Sequence, residues 1–199
     1  MSQQSEWQKF IKQFIFLLFF LCALTVLLSN FVITKDRVNG PSMEPTLLQN
    51  DRLFSLQHRR VRRNAIVLLH APDRPNTMYI KRVVGMPGDT LAVKKDILYV
   101  NGHKQAQPYL HSRFVNAALD DYAKASDRSR SSLRFTADFN IKTLSATRTV
   151  RVPAGQYFVM GDNRYVSHDS RAFGFVKQSA IQSVVVMRYW PLKRMHMFK

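Results

Sequence analysis

Asn39-Gly40-Pro41-Ser42-Met43-Glu44-Pro45-Thr46-Leu47 is the stretch that divides this chain into an apolar part before it and a strand-rich part after it. Pro41 and Pro45 each fix a backbone φ angle and remove an N–H donor, so neither a helix nor a central strand can pass through the stretch. The pattern therefore predicts a constrained turn on which Ser42 is presented and not packed. An ordinary turn explains these residues equally well, because Gly, Pro, Asn and Ser are the usual turn residues. A chemical role for Ser42 requires a partner elsewhere in the chain.

An uncharged segment of 20 residues, 14–33, precedes this turn. It is long enough to cross the roughly 30 Å hydrocarbon core of a bilayer as a helix. A cleavable signal peptide would have a shorter apolar region, about 7–15 residues, that ends at small residues. We therefore predict a tail at residues 1–13 and an uncleaved transmembrane anchor at 14–33, whose similar basic flanks leave its orientation undetermined. Ser42 follows Ile33 by nine residues, so even an extended chain places it within about 30 Å of the membrane.

The remainder of the chain, 34–199, is predicted to form one mostly β, antiparallel domain. Its runs of β-branched, aliphatic and aromatic residues are bounded by Pro, Gly, Asn or Asp, which is typical of short strands. These runs are 52–56, 65–70, 78–84, 90–94, 97–100, 149–152, 156–160 and 181–189. Lys95-Asp96 and Asn101-Gly102 are predicted to be tight turns between strands. Residues 103–147 are more polar and are predicted to be an insertion, with a short helix at 115–125 and an exposed loop at 126–132.

The predicted domain is strongly basic. The chain has a net charge of +17, and residues 34–199 hold 28 of its 30 Lys and Arg and 12 of its 13 Asp and Glu, a balance of +16. Such a charge is compatible with nucleic acid, anionic lipid or an anionic cell envelope. The basic run at 57–63 is explained either by a solvated hairpin loop or by contact with anionic headgroups. No aromatic residues alternate with it to stack on bases, so we expect no nucleic-acid partner.

The partner of Ser42 is not evident among the usual catalytic motifs. A serine hydroxyl needs a base, most often a histidine oriented by a carboxylate. The six histidines lie in no recognisable signature, and the G-x-S-x-G, S-x-x-K and H-E-x-x-H motifs are absent. We predict no metal and no cofactor. The single cysteine, Cys22, excludes a disulfide framework within the chain.

Lys81 is the remaining candidate base, because burial can lower the pKa of a lysine towards neutrality. It lies in the otherwise apolar strand candidate Met78-Tyr79-Ile80-Lys81-Arg82-Val83-Val84-Gly85. Side chains alternate between the two faces of a strand, so Lys81 and Arg82 lie on opposite faces and one of them must point inward or lie at a rim. A structural lysine at the edge of a sheet is the alternative interpretation.

Three segments resemble the conserved boxes of bacterial type I signal peptidases, in the family's order and after an N-terminal anchor. They are residues 42–47 (SMEPTL), 79–89 (YIKRVVGMPGD) and 161–174 (GDNRYVSHDSRAFG). The resemblance spans residues 14 to about 193, including Arg188-Tyr189-Trp190-Pro191-Leu192, and is to the compact members of Gram-positive type. It implies a mostly antiparallel β domain docked on the membrane.

The resemblance also implies roles for individual residues. Ser42 matches the family's nucleophile and Lys81 its general base. Ser167 matches a serine that hydrogen-bonds the lysine amine, and Asp169 and Arg171 match an ion pair that shapes the site.

Three further positions follow from the same resemblance. Asp162 matches a structural carboxylate. Gly40 stands where some members place a serine that assists the oxyanion, so the backbone N–H of Ser42 is the first candidate donor and the second is undetermined. Met43 is expected to lie near the pockets that hold the substrate.

The implied activity is removal of signal peptides from exported preproteins by a serine/lysine peptidase at the plasma membrane. The resemblance implies a cytoplasmic N-terminus, a catalytic domain on the outer face, and proximity to the secretion translocon. Two alternatives stay open: an enzyme dedicated to one pilin- or conjugation-type substrate, and an inactive membrane-tethered basic binding module.

Overall fold

The computed structural model of the chain describes residues 2–198 and begins with one long helix, α1 (Ser2–Phe31). Its segment Glu6–Leu27 is long and apolar enough to span a membrane. The helix differs from the predicted anchor at both ends, because the predicted tail is already helical and Ile33 already belongs to a strand. A helix of uninterrupted good helix formers continues past its charged residues when they can reach water, as Lys9 does in its pair with Glu6.

Most of the domain is one antiparallel sheet of eight strands. In chain order they are β1 (Ile33–Arg37), β2 (Arg52–Gln57), β3 (Ile66–His70), β4 (Met78–Gly85), β9 (Gln156–Met160), β10 (Val176–Lys177), β11 (Ile181–Trp190) and β12 (His196–Met197). The spatial order is β1-β2-β11-β3-β4-β9-β10, with β12 paired to β11. The predicted antiparallel β fold is confirmed.

A second antiparallel sheet of four strands contains β5 (Leu91–Lys94), β6 (Ile97–Val100), β7 (His103–Lys104) and β8 (Phe139–Asn140), in the order β7-β6-β5-β8. Both predicted turns are present. Lys95, Asp96, Asn101 and Gly102 all have positive φ angles, as two-residue hairpin turns require. The ends of the predicted insertion therefore supply the outer strands of this sheet.

The prediction of a strand at 149–152 is wrong. The segment forms no ladder, although Val152 donates to the Asp89 carbonyl and accepts from Gly88. Val152 is buried in the core of the second sheet, whereas Val150 is 58% exposed. The burial of Val152 thus accounts for the apolar composition that suggested a strand.

The predicted helix in the insertion is confirmed and is longer than expected, running over α2 (Ser112–Ser126). The loop after it includes a 3-10 turn (Arg130–Ser132). Leu119, Leu133 and Phe135 form a small core with Tyr165 packed against it, and Tyr122 stacks on the Tyr165 ring. The insertion therefore packs directly on the third conserved box.

The turn that carries Ser42 is fixed to the large sheet by apolar side chains. Met43 and Leu47 are fully buried against Leu53 of β2 and Ile66 of β3. Burying these two large side chains of the turn contributes several kcal/mol. The backbone that carries Ser42 therefore has little freedom to move. Ser42 itself is only partly buried, so the prediction that it is presented is confirmed.

Candidate active site

The backbone of the Ser42 turn is held by polar contacts from the third box. The N–H of Asn163 donates to the Ser42 carbonyl at 3.1 Å, and the Thr46 hydroxyl donates to the carboxylate of Asp162. Within the turn, Leu47 N–H donates to the Met43 carbonyl at 2.9 Å. The two segments are about 120 residues apart in sequence, so the large sheet brings them together.

Lys81 and Ser42 lie side by side. The Lys81 Nζ and Ser42 Oγ atoms are 2.9 Å apart, within hydrogen-bonding distance. Strand β4 fixes the lysine through its register with β3, where Val67 lies opposite Lys81. The Lys81 residue is 4% exposed, and its amine lies 5.2 Å from the centre of the Tyr79 ring. This geometry is that of a hydroxyl beside a buried base.

Burial lowers the pKa of Lys81 from 10.5 to about 8. The negative charges of Asp169 and Asp162 act in the opposite direction, and the positive charge of Arg171 adds to the effect of burial. A lysine with a pKa near 8 is partly neutral at physiological pH, and a neutral amine can accept a proton.

The prediction that one of the two adjacent charges points inward or lies at a rim understates the burial, because Arg82 is buried as well as Lys81, at 6% exposed. Its guanidinium forms a two-bond ion pair with Asp162, with nitrogen–oxygen distances of 2.8 and 2.6 Å, and donates to the Asn64 carbonyl at 2.7 Å. Strand β4 lies between two cores, since Val83 belongs to one and Val84 to the next. Both faces of the strand are therefore covered, and the arginine needs a buried partner.

Asp162 is a bridge between the conserved boxes. Its side chain is completely buried and binds both Arg82 of the second box and Thr46 of the first. Among the residues that the structure describes, it forms no hydrogen bond or ion pair with Ser42 or Lys81, so it influences them through the position of these segments and through its charge.

Asp169 and Arg171 form the predicted ion pair. The guanidinium Nε and Nη2 donate to the two carboxylate oxygens at 2.8 and 2.9 Å. Asp169 also accepts the Gly161 N–H at 3.0 Å and caps the helix α3 (Ser170–Phe173). Burial alone would raise the pKa of Asp169, but the hydrogen bonds and charge of Arg171 and the Gly161 N–H outweigh it and lower the pKa. The Asp169 carboxylate is thus kept ionised, and both of its oxygens accept hydrogen bonds.

The predicted hydrogen bond from Ser167 to the Lys81 amine is not formed in the structure. The Ser167 Oγ atom is buried and forms no hydrogen bond of regular geometry, although it lies close enough to the Asp169 carboxylate to help lower the pKa of that group. It lies over Gly161, where an added Cβ would collide with this hydroxyl and would lie 2.5 Å from the Ser42 carbonyl oxygen. Only glycine therefore allows the Ser42 turn and Ser167 to approach the end of β9 this closely.

The backbone of the turn that carries Ser42 has two notable features. Gly40 has a φ of +95°, and an added Cβ would meet no atom within 4 Å. A serine would therefore fit in space but would be strained, because side chains rarely adopt that backbone conformation. The Ser42 N–H donates to no acceptor within the residues that the structure describes, so it is free to bind an oxyanion.

A groove of about 140 Å³ opens beside the serine and lysine. One wall is the extended segment from Asp36 to Gly40, and the other is the start of β4, from Met78 to Lys81. Met43 also lines this groove. In this half of β4, one edge pairs with β3 and the other is free, since pairing with β9 begins only at Arg82.

Several residues that hold the site together were assigned no role from the sequence. Arg188 of β11 donates to the Thr46 carbonyl at 2.6 Å, and Arg164 is buried, with a contact to the Gly161 carbonyl at 2.9 Å. Arg164 lies in the third box and Arg188 in the matching segment 188–192, so the family resemblance could have identified both. Charge pattern could not, because a buried arginine and an exposed one look alike in the sequence.

Comparison with known proteins gives consistent matches. A family model described as signal peptidase, peptidase S26, matches residues 11–190. Signal peptidase I of Bacillus caldolyticus is 42% identical over 168 residues, which cover 82% of this chain and 83% of the relative. Signal peptidase IB of Staphylococcus aureus strain Mu50 is 35% identical over 171 residues, covering 83% of this chain and 82% of the relative. A crystal structure of a signal peptidase I from Enterococcus faecalis V583 aligns with a TM-score of 0.52 and 36% identity, covering 63% of this chain and 97% of that chain.

Proposed function

Because the chain belongs to the signal peptidase family of S26 peptidases, and is therefore a serine endopeptidase, we propose that it removes N-terminal signal peptides from exported preproteins. The observation that carries this proposal is the 2.9 Å approach of Ser42 Oγ to the buried amine of Lys81. Ser42 acts as the nucleophile and Lys81 as the general base.

The proton path follows from this geometry. Ser42 Oγ attacks the scissile carbonyl carbon while the neutral Lys81 amine takes the hydroxyl proton. The free Ser42 N–H stabilises the oxyanion. Collapse expels the amine of the mature protein, which takes the proton back from Lys81, and leaves an acyl-enzyme. Lys81 then deprotonates a water that hydrolyses the ester, releasing the signal peptide as a carboxylic acid and restoring Ser42.

The remaining site residues position this pair. Asp169, neutralised by Arg171, fixes Gly161 and the loop that carries Ser167. A buried hydroxyl without a partner costs free energy. A small rotation during the reaction, in which the Ser167 hydroxyl contacts the Lys81 amine and directs its lone pair towards Ser42, satisfies that hydroxyl. Asp162 holds the first and second boxes in register.

The substrate is an extended peptide. The groove is flanked by the free edge of β4 and by the extended segment after β1, so a peptide can bind through its backbone as an additional strand. A groove of about 140 Å³ accepts small side chains such as alanine at the cut, which supports cleavage after small residues.

The anchor determines where the reaction takes place. Helix α1 contains a segment that can span the membrane and leads directly into β1. We infer a single-pass protein of the plasma membrane, with its N-terminus in the cytoplasm and its catalytic domain on the outer face, near the translocon from which signal peptides emerge.

Cleavage of a preprotein by the detergent-solubilised full-length protein tests the mechanism. We expect Ser42→Ala and Lys81→Ala each to lose at least about a thousandfold in rate, since both reactive groups are needed in every turnover. Ser145→Ala and Lys94→Ala are matched controls, because both residues are exposed and remote from the groove, and they should retain full activity. Substantial cleavage by either active-site variant would contradict the assignment.

A further inference from the structure

The basic run at 57–63 lies beside the point where the anchor ends. Strand β1 starts at Ile33, directly after the helix, and pairs antiparallel with β2 so that Ile33 lies opposite Leu56. The Gln57 N–H donates to the Val32 carbonyl at 2.9 Å. Because an antiparallel partner returns to the level at which the first strand began, the loop after Gln57 starts about one strand spacing, roughly 5 Å, from the chain leaving the helix. This placement does not depend on the tilt of the domain.

The cations of this loop are divided between two uses. Arg63 is committed to the fold, because its guanidinium pairs with Asp89 at 2.8 Å and donates to the Val84 carbonyl at 2.7 Å. Arg59, Arg60 and Arg62 form no hydrogen bond or ion pair with any residue in the described part of the chain. Arg60 and Arg62 are exposed and Arg59 is partly buried. Three permanent positive charges therefore lack an internal partner.

A cleft lies beneath two of these arginines. It has a volume of about 770 Å³ and is formed between His58, Arg59 and Arg60 on one side and Gln178, Ser179 and Gln182 on the other. The second wall carries amide and hydroxyl groups together with the apolar side chains of Ile181 and Val184, and no carboxylate lines the cleft. Guanidinium groups with nearby neutral donors are a suitable environment for a phosphate ester, because they bind its oxygens without repelling its charge.

We propose that this loop and cleft, residues 58–62 with 178–182, bind the phosphate-bearing headgroups of anionic phospholipids at the surface where the anchor emerges. The inference rests on the membrane anchoring proposed above and adds a second attachment next to the first. A helix alone leaves the domain free to rotate about the helix axis, whereas a lipid contact beside it restricts that rotation and holds the groove in one orientation to the bilayer.

Lipid binding to the full-length protein in uncharged detergent micelles tests the proposal without turnover. The micelles are titrated with phosphatidylglycerol or phosphatidylcholine, and native mass spectrometry counts the lipids retained per protein. Each basic residue near an anionic surface contributes on the order of fivefold in affinity, so the variant R59Q/R60Q/R62Q should bind phosphatidylglycerol about a hundredfold more weakly. Binding by the wild type should also weaken strongly at high salt.

Two matched variants separate location from charge. K124Q/R128Q/K142Q removes the same charge from exposed positions in the insertion and should change phosphatidylglycerol binding by less than about threefold, whereas R59K/R60K/R62K keeps the charge and should retain most of the affinity. An equal loss in the insertion variant, or no loss in R59Q/R60Q/R62Q while it remains folded by circular dichroism, would overturn the proposal.

Two further measurements complete the test. Soluble poly(glycerol phosphate) provides the same phosphodiester chemistry without a bilayer. If it displaces the lipid at equal phosphate concentration, the loop recognises a wall polymer and the lipid assignment is wrong. Preprotein cleavage in the same samples reports separately on the proposed function, so a failure of either idea is identifiable on its own.

Discussion

Lys81→Met should produce an inactive protein that is more stable than the wild type near neutral pH. In the folded state burial lowers the pKa of Lys81 from 10.5 to about 8. At about 1.4 kcal/mol for each tenfold change in proton affinity, holding the protonated lysine in the fold costs about 3 kcal/mol. Methionine keeps much of the apolar stem and carries no charge, but it loses the contact with Ser42, worth about 1 kcal/mol. The expected net gain at pH 7 is about 2 kcal/mol.

The sign of the pH dependence follows from the direction of the pKa change. Below pH 8 the lysine is protonated in both the folded and the unfolded protein, so the wild type bears the whole cost. Between about pH 8 and 10.5 the unfolded state binds more protons than the folded state, and the stability of the wild type rises with pH. The advantage of Lys81→Met should therefore shrink across this window and become a deficit of about 1 kcal/mol at its upper end, where only the lost contact with Ser42 remains.

Urea unfolding of the detergent-solubilised proteins, followed by tryptophan fluorescence at pH 7 and pH 10, measures this difference. Lys94→Met is the matched control, because Lys94 is an exposed residue at the end of β5, and its effect should be small at both pH values. A Lys81→Met variant that is less stable than the wild type at pH 7, or whose stability difference does not change with pH, would refute the reasoning that burial destabilises the protonated lysine.

Three further predictions concern the surroundings of the lysine. The rate of preprotein cleavage should rise as the pH passes about 8 and Lys81 loses its proton. Arg171→Gln should move the midpoint of this pH profile upward, because it removes a cation that favours the neutral amine. A pH profile that does not move would contradict this prediction. Asp162→Asn should lower the free energy of unfolding, measured by urea titration, by about 3–5 kcal/mol, because it leaves a buried arginine unpaired. The control Asp120→Asn removes a carboxylate from an exposed pair and should cost less than about 1 kcal/mol. Gly161→Ala should reduce kcat at least about tenfold, because its Cβ would lie 2.5 Å from the carbonyl of the nucleophile; full activity in that variant would show that the turn can move.

The strands with strong local patterns could be predicted from the sequence, and those created by pairing could not. Strand β4 is apolar on both sides of its charges, and its bounds agree with the prediction to within one residue. Strand β1, Ile33–Arg37, contains four polar or charged residues in a row, and its burial alternates only between exposed and intermediate. It exists because β2 offers a free edge directly after the anchor. That condition is a property of the folded sheet and leaves no mark on residues 33–37 themselves.

The candidate site shows the same division. The family resemblance identified Ser42, Lys81 and the residues of the third box, and the structure brings the first two together. Local pattern could not predict that Arg82 is buried as well, because a strand covered on one face and a strand covered on both can have the same sequence. The hydrogen bond from Ser167 to the Lys81 amine that the resemblance implies is not formed. Neither pattern nor resemblance specifies how a side chain is rotated.

The distribution of buried charges explains why Lys81 is the group that can act as a base. The buried carboxylates of Asp169 and Asp162 each raise the pKa of Lys81, and they would raise it further if no cation were bound to them. Each is bound instead by an arginine, Arg82 and Arg171, through two nitrogen–oxygen contacts of 2.6 to 2.9 Å. An arginine cannot give up its proton at physiological pH. Both members of each pair therefore stay ionised, and their charges largely cancel.

Lys81 is consequently left with a hydroxyl as its hydrogen-bonding partner and no carboxylate in contact. Burial is the largest influence on its pKa, outweighs the opposing charges of Asp169 and Asp162, and favours the neutral form. Replacing either arginine with lysine would weaken this division, because a lysine binds a carboxylate at one point and can itself lose its proton. The fixed charge of the two arginines is therefore part of the chemistry of the site, although neither arginine contacts the serine.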